Sequence, residues 1–234
     1  MYIYEELSPK RLLIHLHGFA SDLKSSKVRA LRDYALERKS FSFFAMDMDY
    51  HTTTTSKTLG VLNALVRGFS HTYQQILLSG SSHGAYVILN YIKLYSPENI
   101  KGVFLFAPSY STLQLTVAQE GTQKCERWLK GEEELKIVEC ETGISLTIHR
   151  DFAKDIMERG YEIILNGEVR FPQKPPADIL IVHGTEDKIV PVEHSRIFAQ
   201  KVKVKKYLEL KDDHRLSNTF EKIVWQEGIL EIFD

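Results

Sequence analysis

A chain of 234 residues that is 43% hydrophobic, 11% aromatic and 26% charged can bury one sizeable core, and its composition is neither fibrous nor disordered. With 30 Lys and Arg against 31 Asp and Glu the net charge is −1, which argues against nucleic acid or an anionic membrane surface as a partner and for a small molecule. Two cysteines, Cys125 and Cys140, are too few for a disulfide framework and stand in no metal-ligand spacing, so no metal or other cofactor is expected.

Residues 1–6, Met-Tyr-Ile-Tyr-Glu-Glu, lack the basic and apolar regions of a secretory signal. No apolar run approaches the roughly 18 residues that cross a bilayer, and the expected location is cytoplasmic. Apolar runs of strand length then alternate with amphipathic stretches of helix length. That is the pattern of an α/β fold with a mostly parallel sheet and helices on both faces. Residues 12–16 predict the first strong strand, and residues 28–39 a helix with Val28, Leu31, Ala35 and Leu36 on one face. A strand over 41–46, a helix over 58–69 and a strand over 75–79 follow, then a helix-like stretch from 85 to 92. The strand over 103–107 is stopped by Pro108.

From residue 110 to 171 the rhythm changes. A glutamate-rich stretch at 131–134 precedes a hairpin-like pair, 135–139 and 144–148, and a helix over 151–159. This stretch reads as an insertion, with residues 1–109 and 172–234 forming the core domain. Pro172, Pro175 and Pro176 mark the return to it. A strand over 179–182, a helix over 192–201, a strand over 205–210 and one amphipathic helix over 216–232 complete the chain. The lysines at 201, 203, 205 and 206 read as a solvated helix end.

Chemistry concentrates at four places. Gly80-Ser81-Ser82-His83-Gly84 lies between a strand and a helix, the context of a nucleophile elbow, in which two glycines let strand and helix approach and leave a serine at the tip. A plain Gly/Ser loop is the alternative for this segment alone. A serine nucleophile needs a base, an acid to orient the base, and oxyanion donors. Asp187 follows the strand ending at Val182 and His214 follows the strand ending at Leu210, so both lie at the strand edge where ligands collect in open α/β sheets. Glu186 is the second candidate acid, and Asp187 reads equally as a turn cap. The order Ser82, Asp187, His214 is the serine, acid, histidine order of α/β hydrolases. The backbone N–H groups of His83 and of Phe19, after the turn at Gly18, are the candidate oxyanion donors. The His83 side chain is expected to turn away from the serine, and His15 and His183 read as satisfied core or backbone-bonding histidines.

The segments His17-Gly18-Phe19, Gly80-Ser81-Ser82-His83-Gly84, His183-Gly184-Thr185-Glu186-Asp187-Lys188-Ile189-Val190-Pro191 and Asp213-His214 resemble the oxyanion, nucleophile, acid and base motifs of the α/β-hydrolase superfamily. Within it, His17-Gly18-Phe19-Ala20-Ser21 and Asp213-His214-Arg215 resemble small serine esterases, including the branch of acyl-protein thioesterases that also cleave acyl glucuronides. The resemblance implies a metal-free ester or thioester hydrolase in which residues 110–171 form a small cap. Phe19, with Trp128, Ile144 and Phe152 of that cap, is expected to line an acyl pocket. A peptidase, a carbon–carbon bond hydrolase and a non-catalytic binding module on the same scaffold remain as alternatives.

Overall fold

A computed structural model describes residues 1–19, 21–138 and 145–233. Its frame is a seven-stranded sheet built from β1 (Tyr2–Glu5), β2 (Arg11–Leu16), β3 (Ser42–Met46), β4 (Gln75–Ser81), β5 (Ile100–Phe106), β10 (Asp178–Gly184) and β11 (Lys206–Leu210). The spatial order is β1-β3-β2-β4-β5-β10-β11, and only β1 runs antiparallel to its neighbour. Chain order runs outward in one direction from β2 to β3 and in the other from β4 to β11, so the sheet reverses between β2 and β4. A crevice forms there at the carboxyl ends of the strands.

Strand residues point alternately to the two faces. Leu13, Leu77, Phe104 and Leu180 pack under α1 (Ser26–Arg38) and α8 (Phe220–Trp225) with Val28, Leu31, Tyr34 and Phe220. Leu12, Ile14, Leu78, Val103 and Ile181 pack on the opposite face under α2 (Thr55–Phe69), α3 (His83–Tyr95) and α7 (Val192–Lys201), with Leu59, Leu62, Ile88 and Phe198. The near-continuous apolar strands expected from the sequence reflect this burial on both faces. The α2 helix starts one turn earlier than predicted, because the Thr54 hydroxyl accepts the Lys57 N–H and caps it.

Between β5 and β10 lie α4 (Thr112–Glu120), α5 (Thr122–Lys130), β6 (Leu135–Val138), β7 (Ser145–Ile148), α6 (Arg150–Arg159) and a two-stranded ribbon of β8 (Ile164–Leu165) and β9 (Glu168–Val169). β6 and β7 pair antiparallel as predicted, and the connecting residues 139–144 lie outside the described residues. Trp128, Leu135, Ile148, Phe152 and Ile156 belong to the same apolar cluster as α2 and α3, so this segment continues the core. Polar contacts tie it down as well. Asp155 accepts the Ser56 N–H (2.8 Å) and hydroxyl (2.5 Å) at the start of α2, a favourable place for a carboxylate. Glu162 accepts the Leu113 N–H of α4 at 2.7 Å, and burial, against the hydrogen bonds it accepts, pushes its carboxyl up to about 7.

The expected single helix over 216–232 is instead α8 and a short 3₁₀ turn at Ile229–Glu231. Leu216 and Gly228 have φ of 55°, a left-handed conformation that no continuous helix passes through. Asp213 and Asp212 also capture the amides of Arg215, Ser217, Asn218 and Thr219 before a helix can use them.

At the crevice the backbones of β2 and α3 touch. A Cβ on Gly84 would overlap the carbonyl oxygens of Leu16 and His17, whereas one on Gly60, mid-helix in α2, would meet nothing within 4 Å. Opposite effects on stability are therefore expected from the same substitution. In urea unfolding, Gly84→Ala should destabilise by about 2 kcal/mol or more through overpacking. Gly60→Ala should stabilise by about 0.5–1 kcal/mol through the unfolded chain and helix propensity.

Candidate active site

Ser82 sits at the β4–α3 junction with φ 53° and ψ −117°, a conformation costing a non-glycine residue about 1–3 kcal/mol. The surroundings enforce it. The Ser82 N–H donates to the Phe106 carbonyl at 2.9 Å, and its own carbonyl accepts the N–H groups of Ala85, Tyr86 and Ser109 at 3.1–3.2 Å. Added side-chain atoms are excluded at Gly84 and also at Gly80, where a Cβ would stand 2.5 Å from the Ala85 nitrogen. The side chain is thereby fixed at the helix start, with Oγ 3.0 Å from His214 Nε2.

His214 Nδ1 stands 2.6 Å from Asp187 Oδ2, a geometry in which the ring N–H donates to the carboxylate and Nε2 is left to accept the Ser82 hydroxyl proton. The sequence-predicted serine, acid and histidine thus meet in one hydrogen-bonded line. Glu186, the other candidate acid, is exposed and uses its N–H on the Asp212 carbonyl at 2.9 Å. The Asp187 side chain has no exposed surface. Burial alone would raise its carboxyl, but hydrogen bonds from His183 and His214, the His214 charge and the Val190 N–H reverse this and hold it well below the ordinary carboxylate range.

His183 is buried and bonded to backbone as expected from sequence, and it also reaches the acid. Its Nε2 lies 3.0 Å from the same Asp187 Oδ2 and 3.0 Å from the Val190 carbonyl. Both partners only accept, so Nε2 carries a proton. In the neutral ring Nδ1 then accepts from the Ser195 hydroxyl at 2.7 Å, and Ser195 accepts from the Tyr110 hydroxyl at 2.9 Å. A buried chain therefore runs from Tyr110, just after β5, to the carboxylate. The four-residue spacing of His183 and Asp187 on a strand exit was the available signal; Ser195 and Tyr110 offered none.

A second buried carboxylate shapes the loop that carries His214. Asp212 accepts the N–H groups of Asp213, Asn218 and Thr219, the Asn218 amide and the Thr219 hydroxyl, all within 2.7–3.0 Å. Burial pushes its carboxyl up, and these donors, Thr219 first, outweigh it and hold the group ionised.

The loop after β2 lies against the nucleophile. A Cβ on Gly18 would be 3.2 Å from Ser82 Cβ. His17 braces the turn, with Nε2 accepting the Met48 N–H at 3.2 Å and Nδ1 donating to the Gly18 carbonyl at 2.9 Å. Phe19 follows it into the wall of the cavity, and His83 begins α3, where a helix N–H has no partner in its own helix. The His83 imidazole is engaged by the Tyr50 hydroxyl at 3.2 Å and packs among Phe19, Tyr86 and Phe152; burial, then the His17 charge, hold it at about 3.

Ser82 and His214 open into a cavity of about 250 Å³. From the segment between β5 and β10 its walls take Leu115, Thr116 and Gln119 of α4 and Ile137 and Val138 of β6. Trp128, expected in the pocket, is buried inside that segment with its ring N–H on the Ile148 carbonyl at 2.9 Å. Phe152 stands behind the wall, against Phe19 and His83, and Ile144 lies outside the described residues. Large aromatic side chains went to the interior of the segment, and smaller aliphatic ones face the cavity. Among the described residues no group of three His, Cys, Asp or Glu side chains is placed to hold a metal ion, and no helix is long and apolar enough to cross a membrane.

Sheet order, elbow and strand-edge loops together define an α/β-hydrolase fold. The chain belongs to the uncharacterised protein family UPF0227, which it matches over residues 12–228. Three solved structures share the fold. A presumed hydrolase of Agrobacterium vitis S4 superposes with a TM-score of 0.78 at 19% identity, over 96% of this chain and 88% of that one. Mouse alpha/beta hydrolase domain-containing protein 10 gives 0.71 at 15% identity, over 100% and 94%. Est1E of Butyrivibrio proteoclasticus with bound ferulic acid gives 0.70 at 20% identity, over 99% and 94%. Comparison with curated protein sequences finds no match.

Because the folded Asp187 carboxyl titrates below its unfolded value of about 3.9, the stability it contributes is present above that pH and is lost as the pH falls through the folded value. In urea unfolding, the stability difference between the wild type and Asp187→Asn should shrink as the pH falls below about 4. A difference that keeps growing as the pH falls below about 4 would contradict the depressed carboxyl.

Proposed function

We propose that this protein is a serine hydrolase that cleaves carboxylic esters or thioesters through an acyl-enzyme on Ser82. The observation that carries the proposal is the line Ser82 Oγ–His214 Nε2 (3.0 Å), His214 Nδ1–Asp187 Oδ2 (2.6 Å), opening on a cavity. Ser82 Oγ attacks the acyl carbonyl as its proton passes to His214 Nε2, and Asp187 stabilises the imidazolium. His214 then protonates the departing alkoxide or thiolate. Water, deprotonated by the same nitrogen, attacks the acyl-enzyme and releases the acid and free Ser82. The N–H groups of His83 and Phe19 are assigned to the carbonyl oxygen as charge develops on it.

Residues 110–171 are assigned as a cap over the core formed by 1–109 and 172–234. Leu115, Ile137 and Val138 of the cap, with Phe19, Ile189 and Val190 of the core, supply an apolar wall suited to an acyl chain. The structural likeness to mouse alpha/beta hydrolase domain-containing protein 10 supports the hydrolase reading, and the resemblance of the motifs to the acyl-protein thioesterase branch supports ester and thioester substrates.

Intact-mass analysis after fluorophosphonate treatment tests the proposal. The wild type should gain one adduct, Ser82→Ala none, and His214→Ala should react at least about a hundredfold more slowly, since the base contributes about 10²–10⁴ to such steps. An adduct that persists in Ser82→Ala would refute the nucleophile assignment. 4-Nitrophenyl esters from acetate to decanoate should then show a chain-length optimum that shifts in Ile137→Ala. Peptide amides turned over as fast as esters would overturn the substrate class.

A further inference from the structure

β10 carries a residue that packing does not require. Ile179, Leu180, Ile181 and Val182 form an unbroken apolar run, and His183 continues it with no exposed surface. Ser195 of α7 and Tyr110 after β5 are equally buried and belong to the same hydrogen-bonded chain. Polar side chains placed in the interior are less favourable than apolar ones of similar size unless each is satisfied, so stability alone does not account for this chain.

Its direction does. The His183 Nε2–H faces only acceptors, so every donor points the same way: Tyr110 to Ser195, Ser195 to His183, and His183 to Asp187 Oδ2. Hydrogen bonds aligned in this way polarise one another, which strengthens the last donor. Its target is the oxygen that also takes the His214 ring N–H at 2.6 Å. With the Ile189 and Val190 amides on Oδ1, the donors fill the roughly four lone-pair positions of a carboxylate. Negative charge drawn toward His183 is withdrawn from His214. Burial keeps the Tyr110 hydroxyl protonated at the far end. The other titratable groups that sense the His183 ring are His194 of α7, which burial and then His183 hold below its ordinary value, and Glu209 of β11, which accepts from Arg196 at 2.6 Å. Neither is a hydrogen-bond partner of the ring.

We propose that His183 is a positioning residue of the site, which holds Asp187 in line with His214 and, by sharing Oδ2, limits how firmly the acid keeps a proton on His214. The inference rests on the hydrolase reading for its meaning, because it makes His183 set the pH range in which the base is free to act on Ser82. The sharing of Oδ2 is a property of the folded protein and is read without turnover.

NMR titration of the His214 ring in protein carrying labelled histidine tests it, the resonance being assigned by its loss in His214→Ala. In His183→Leu, which cannot donate, the pH midpoint of His214 should rise by about half a unit to one unit over the wild type, a change of about threefold to tenfold in proton affinity. His183→Gln, whose amide can donate to Oδ2, should bring the midpoint most of the way back. Ser195→Ala leaves the His183 ring in place and removes only the donor on Nδ1, and should shift the midpoint in the same direction by less; it keeps the test intact where the leucine variant does not fold. A midpoint that is unchanged or lower in every variant that folds, or that rises as much in His183→Gln as in His183→Leu, would overturn the proposal in favour of a packing role. Fluorophosphonate labelling separates this from the reaction itself. A wild type that takes no adduct while the midpoints move removes the hydrolase reading and leaves the sharing of Oδ2, whereas an adduct with unmoved midpoints removes the proposal and leaves the hydrolase.

Discussion

One carboxylate oxygen holds the site together. Asp187 Oδ2 receives the ring N–H of His214 from one side and that of His183 from the other, while Oδ1 takes the Ile189 and Val190 amides at 2.8 Å. A fully covered charge is tolerable only with its acceptor sites filled, and here backbone and two rings fill them. The geometry that satisfies this charge also decides where the His214 ring stands. A single hydrogen bond would let the carboxylate rotate; four donors on two oxygens remove that freedom. His183 is fixed in turn by Ser195 and Tyr110, so the orientation of the acid is referred back to the end of β5 and to the first turn of α7.

The nucleophile is fixed by a different constraint, the lack of space. At Gly80 the α3 backbone, and at Gly84 the Leu16 and His17 carbonyls at the end of β2, occupy the volume a Cβ would need, and the resulting turn holds Ser82 in a conformation it would not choose. That strain is borne by the neighbouring strand and the loop after it, through the Phe106 carbonyl and the Ser109 N–H. Acid and base loops are joined by the Asp212 carbonyl and the Glu186 N–H, and β10 and β11 carry them in parallel register. The 3.0 Å from Ser82 to His214 is thus the meeting of two separately braced units, one built on β4 and α3 and one on β10 and β11. Their alignment is set by β5, which pairs with β4 on one side and β10 on the other.

Residues whose chemistry repeats at fixed spacing were legible in the sequence. The alternation of apolar runs marked six of the seven sheet strands, whereas Tyr2–Glu5 lies half exposed at the edge and has no such run. Ser82, Asp187 and His214 were readable since each follows a strand at its carboxyl end. The partners of Asp187 and the loop role of Asp212 were not, because they depend on which side chains the tertiary fold brings within 3 Å. α4 was invisible for a related reason. It has no fully buried residue, so it lacks the apolar stripe that marks a helix, and the Glu162 carboxylate, 49 positions from Leu113 in the chain, stabilises its start. The C-terminal pattern misled in the opposite way: an apolar period suited to a helix spans 216–232, but the carboxylates of Asp212 and Asp213 claim the amides that a helix would need.

The cavity divides its surface according to the origin of its walls. The segment between β5 and β10 contributes aliphatic and uncharged polar side chains, and β2, the first turns of α1 and α3 and the strand-edge loops contribute the serine, the histidines, Lys27 and Arg215. Arg215 is covalently adjacent to His214, and the Lys27 ammonium stands 5.6 Å from the Phe220 ring centroid. α4 also reaches the acid loop directly, where the Gln119 side-chain amide donates to the Ile189 carbonyl at 3.3 Å, and the segment between β5 and β10 is anchored by Tyr110 and Glu162. No residue of α4 or β6 takes part in the hydrogen bonds from Ser82 to His214 to Asp187, so the aliphatic wall can change shape while that line stays intact, whereas Arg215 cannot be exchanged for a neutral residue without changing the charge beside the base.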